Sequence, residues 1–91
     1  LIRSAKILNP GDKETRYYLA KAFFHVGDWE TAQRQLTPVI EANPRNDQAL
    51  YLMARIYEKM GRRREAEAVA EKVREIVGDE KALQRLIEDF E

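Results

Sequence analysis

The sequence predicts an all-α protein made of antiparallel helical hairpins stacked side by side as a solenoid. Three observations carry that reading. Gly and Pro break the chain at regular places, the stretches between breaks have helical apolar spacing, and the pattern returns after 34 residues, Tyr17 falling on Tyr51. No stretch sustains apolar–polar alternation, so no strand is expected.

The breaks are Asn9-Pro10-Gly11, Gly27, Asn43-Pro44, Gly61 and Gly78, and they separate helices expected near 1–8, 13–25, 29–42, 47–59, 63–77 and 80–90. On the first, Leu1, Ile2, Ala5 and Leu8 share one face. On the second, Leu19, Phe23 and Val26 recur at i, i+4 and i+7, which predicts a core stripe. The third carries Pro38 in its interior. That removes one helix hydrogen bond and clashes with the carbonyl of Arg34, predicting a kink or a cost of ~3 kcal/mol. The fourth repeats the core spacing with Leu50, Met53, Tyr57 and Met60, and the fifth with Val69, Val73 and Ile76. The fifth opens on Arg62, Arg63 and Arg64, whose charges oppose the helix dipole by about 0.3–1 kcal/mol; packing offers no reason for them. On the last, Leu83, Leu86, Ile87 and Phe90 are expected to pack back on helix 63–77, with Lys81, Gln84, Arg85 and Glu88 in water. The loops suit only antiparallel neighbours.

Under the 34-residue shift, Leu19 falls on Met53, Ala20 on Ala54, Lys21 on Arg55 and Phe23 on Tyr57. Gly27 falls on Gly61, Ala32 on Ala66 and Val39 on Val73. Small residues return to small and large apolar to large apolar. Each match has a cause. Ala20 and Ala32 are expected on facing helices of one hairpin, where a short side chain lets the backbones approach. Phe23 and Leu36 fill the space beside them. Gly27 suits a left-handed helix end without steric penalty. Pro44, after Asn43, stops a helix.

The stretch Leu19-Ala20-x-x-Phe23, then Gly27-Asp28-Trp29-x-x-Ala32, then Asn43-Pro44, resembles the tetratricopeptide repeat motif in order and spacing. Met53-Ala54-x-x-Tyr57, Gly61 and Glu65-Ala66 resemble a second copy, and Ala5 with Asn9-Pro10 the end of a preceding one. The resemblance implies a single domain over 1–91: a second helix of a truncated repeat at 1–12, full repeats at 13–46 and 47–80, and a capping helix at 81–91. It also implies a right-handed superhelix whose concave face is lined by the first helix of each hairpin. Two departures leave that pattern incomplete: Arg16 stands where the family often has Trp, and Gly78 where it has a closing Pro.

A second stripe runs off the core. It comprises Tyr17, Lys21 and Phe24 on one first helix and Tyr51, Arg55 and Glu58 or Lys59 on the next. Packed helices lie ~8–10 Å apart, so Tyr17 and Tyr51 would sit above Lys21 and Arg55 in one patch. Aromatics and cations outside the core suit a binding face, so Tyr17, Lys21, Phe24, Tyr51 and Arg55 are the candidate peptide-binding residues. The tyrosines could equally just cover the neighbouring hairpin. A family subset grips carboxylate tails with lysine, asparagine and arginine. The matching places here hold Tyr17, Lys21 and Leu52, so that ligand is not carried over.

Composition excludes other classes. The 91 residues carry 16 Lys plus Arg against 16 Asp plus Glu, so net charge is zero and nucleic-acid binding is disfavoured. A charged share of 35% with 44% apolar residues suits long solvated helices. No apolar run nears the ~20 residues needed to span a bilayer, and no leader is visible. With no Cys, disulfides and thiolate chemistry are absent, and cytoplasm and periplasm are both compatible. His25 is the lone histidine and Ser4 the lone serine, neither beside a catalytic partner, and no Gly-rich phosphate loop occurs. The expectation is therefore a non-enzymatic scaffold for a protein or peptide, with no cofactor and no metal. The alternative is self-association through the apolar face of Leu1, Ile2, Ala5 and Leu8. Leu1 rather than Met stands first, so a segment of a longer protein is expected.

Overall fold

Glycines and side-chain caps set most of the helix ends. The computed structural model describes residues 13–90. Within them are five helices: α1 (Lys13–Val26), α2 (Trp29–Ala42), α3 (Asp47–Lys59), α4 (Arg63–Val77) and α5 (Glu80–Phe90). The boundaries agree with the sequence reading to within a residue. The helix expected over 1–8, Ser4 and the apolar face of Leu1, Ile2, Ala5 and Leu8 lie outside the described residues.

The two hairpin turns are copies of each other. After α1, the Gly27 amide donates to the Phe24 carbonyl at 3.2 Å and the Asp28 amide to Phe23 at 2.9 Å. After α3, Gly61 donates to Glu58 at 3.1 Å and Arg62 to Tyr57 at 2.9 Å. This pair of bonds requires a left-handed residue, and φ is +91° at Gly27 and +78° at Gly61. The turns differ in their caps. Asp28 accepts from the Thr31 amide at 3.3 Å, whereas Arg62 makes no side-chain cap bond. At the α2–α3 junction Asn43 accepts from the Arg45 amide, Pro44 follows, and Asn46 caps α3 by accepting from the Ala49 amide at 3.1 Å.

α1 pairs with α2, α3 with α4, and α2 packs on α3. Ala20, Ala32, Leu36, Ala49, Leu52 and Ile56 are fully enclosed, with Ala54 and Ala66 also buried and Phe23 and Tyr57 partly so. The expected core stripe of α1 is corrected. Leu19 and Val26 are exposed, at 38% and 76%, while Ala20 and Phe24 are buried. Leu19 corresponds to Met53, which α2 helps to enclose. Among the described residues no hairpin precedes α1 to do the same.

α2 runs unbroken through Pro38. Pro38 and Arg34 are both exposed, so water can donate to the carbonyl that lost its amide. Arg16 spans the corner of the first hairpin, donating to Gln35 of α2 at 3.5 Å.

Candidate functional site

α1 and α3 each present one polar–aromatic stripe to the same side. On α1 the residues are Tyr17, Lys21 and Phe24, and on α3 their equivalents are Tyr51, Arg55 and Glu58. The spacing of four and then three keeps each set on one helical face. Arg55 donates from Nη1 to the Tyr51 hydroxyl at 3.0 Å, and its Nε lies 3.5 Å from the Glu58 carboxylate. The Tyr17 hydroxyl is held above the usual tyrosine range, first by burial and then by the neighbouring Tyr18 and Asp47.

This face is already occupied. The Phe90 ring, at the end of α5, meets Tyr51 edge-on at 5.1 Å between centroids and Phe24 at 5.8 Å. Lys21 Nζ lies 5.1 Å from the Phe90 centroid, and Arg55 Cζ lies 5.8 Å from it. Arg55 is also 5.9 Å from the Phe24 and Tyr51 rings. Phe90 is 5% exposed. Burying that ring contributes ~1.5–3 kcal/mol, and each of the two half-buried cations adds a cation–π contact of ~0.5–2 kcal/mol.

The five predicted residues are thus brought together around a sixth that sequence reasoning assigned elsewhere. Of the apolar stripe on α5, Leu83 and Leu86 do pack against Val73, Ile76 and Val77 of α4, joined by Leu50 of α3. Phe90 belongs to the other core cluster, with Phe24 of α1 and Met53 and Ile56 of α3. It crosses α3 and reaches α1. The signal for this is faint: Phe90 is one turn beyond Leu86 on the same apolar stripe.

Open space remains on both sides of Phe90. A cleft of about 110 Å³ is lined by Tyr17, Tyr18, Lys21, Tyr51 and Asp89, and one of about 390 Å³ by Phe24, His25, Trp29, Arg55 and Lys59. A larger groove, about 730 Å³, runs between Tyr51, Arg55 and Glu58 of α3 and Arg63, Ala66 and Arg74 of α4. Arg63 lines it, but nothing in the packing explains the arginine cluster as a whole. Among the described residues no group of three or more His, Cys, Asp or Glu is placed to hold a metal ion. No described helix is long and apolar enough to cross a membrane.

A family model described as anaphase-promoting complex, cyclosome, subunit 3, a tetratricopeptide-type repeat family, matches residues 2–73. The chain belongs to this family. No curated protein and no solved structure matches it. Tetratricopeptide-type repeats are a non-enzymatic fold that mediates contacts between proteins, and the all-helical hairpins and repeated turns are what such a repeat requires. The match ends at residue 73, inside α4, so α5 and Phe90 lie beyond the shared pattern.

Proposed function

We propose that this tetratricopeptide-type module holds a peptide or protein segment on the concave face formed by α1 and α3. The contacts would come from Tyr17, Lys21, Phe24, Tyr51 and Arg55. The observation that supports this reading most is that an aromatic ring sits among these residues, edge-on to Phe24 and Tyr51 and flanked by two cations. The aromatics supply contact area at low entropic cost, and the cations suit a carboxylate or a backbone carbonyl. The matching family is named for a subunit of a large assembly. An interaction role for the repeat suits that name. Leu52, at one of the places used by the carboxylate-gripping subset, is fully enclosed, which supports leaving that ligand aside.

A peptide library panned on the wild-type chain and on the Tyr51→Ala, Arg55→Ala double variant tests the face. Captured ligands should lose most of their affinity for the double variant. Ligands that bind both chains equally would place the site elsewhere.

A further inference from the structure

The proposed face carries its own description of a ligand, because α5 lies on it. α5 buries Leu86 and Phe90, one turn apart. Leu86 meets Leu50 and Val73, and Phe90 meets Phe24 and Tyr51. Lys21 and Arg55 flank the Phe90 ring, at 5.1 and 5.8 Å from its centroid. Asp89 lines the same cleft as Lys21 and adds a full negative charge. From this we infer that the partner is an amphipathic helix with leucine and phenylalanine four residues apart and an acidic residue before the phenylalanine. α5 is the internal occupant that such a helix must displace.

Displacement is feasible on two grounds. Apart from Leu86 and Phe90, every described residue of α5 is at least partly solvated. The helix hangs on a short link at Gly78-Asp79, so Phe90 can leave without disturbing the alanine contacts inside the hairpins. The tether sets the difficulty: a short link holds α5 at an effective concentration of about millimolar, so a free helix of equal strength competes poorly with it. Removing the Phe90 anchor lowers the seated fraction of α5 and raises the apparent affinity for a free helix by at least about ten-fold.

This inference rests on the concave-face reading, and the experiment separates the two. The probe is a fluorescent peptide of residues 79–91, titrated against the full chain as wild type and as Phe90→Ala. Trp29 lines the cleft beside Phe90 and gives a second, label-free signal. Circular dichroism checks that the helices persist; if Phe90→Ala unfolds, Arg85→Pro breaks α5 at an exposed position and opens the same face. The expected result is weak binding to wild type, binding at least about ten-fold tighter to the opened chain, and loss when the peptide's own phenylalanine is alanine. Equal binding to closed and opened chains, or indifference to that phenylalanine, overturns the inference. If the peptide fails while library ligands still depend on Tyr51 and Arg55, the helix class falls and the face stands. If wild type is a dimer that Phe90→Ala dissolves, the occupant is a second copy's α5 and internal competition is overturned.

Discussion

Arg62 invites a substitution whose effect can be worked out beforehand, because the molecule contains its own control. Arg62 and Asp28 occupy the same place in the two hairpins, each as the residue before a second helix. Their backbones are superimposable, with φ −91° and ψ 75° at both. Asp28 uses that geometry to accept from the Thr31 amide, and Arg62 cannot. Arg62→Asp therefore places an acceptor opposite the Glu65 amide with no backbone change. A cap of this kind is worth ~0.5–2 kcal/mol, centred near 1. Replacing a cation by an anion at a helix N-terminus adds ~0.3–1 kcal/mol, and solvent exposure puts it at the low end.

The sum is about 1.3 kcal/mol, which for a domain of this size raises Tm by roughly 5–10 °C. Thermal and urea unfolding followed by circular dichroism reads it. Arg62→Asn keeps the cap without the charge and should recover most of the gain, while Arg62→Ala keeps neither acceptor nor charge. The expected order is Asp above Asn above Ala. Raising salt should narrow the gap between Asp and Asn and leave that between Asn and Ala intact. Equal stability for Asp and Ala would refute the cap argument, and a destabilised Asp variant would show that Arg62 has a favourable role the packing does not reveal.

Other perturbations have equally definite outcomes. Ala32 is fully enclosed where α1 and α2 meet, so Ala32→Leu should cost ~1–3 kcal/mol through overpacking, read as a lower urea midpoint at unchanged slope. Burial raises the Tyr17 pKa, so between its unfolded and folded values the folded state binds more protons, and stability falls as pH rises beyond 10.0. Tyr17→Phe should show a shallower alkaline loss than wild type by urea unfolding across that range, and identical slopes would refute the burial.

Local chemistry is what the sequence made legible. Gly27, Gly61 and Gly78 were readable as helix ends because a positive φ excludes most other residues, and all three have it. Ala20 and Ala32 were readable because a close helix contact tolerates little else. α1 was misread because apolar residues run around most of it: Tyr17, Tyr18, Leu19, Ala20, Phe23, Phe24 and Val26 satisfy several faces at once. Periodicity picks a face only where polar residues mark the other side, as they do on α5. Alignment with Met53 then favoured Leu19, yet a repeat's flanks are buried only where a neighbouring hairpin covers them. The candidate site was legible for the related reason that its residues recur: a tyrosine and a cation return at the same two positions in consecutive repeats. Phe90 recurs nowhere and enters through tertiary geometry alone. In a solenoid, repetition sets which residues share a surface, while what rests on that surface here is set by a helix outside the repeat. That division is why the shared side of the five residues on α1 and α3 was readable from the sequence and the ring among them was not.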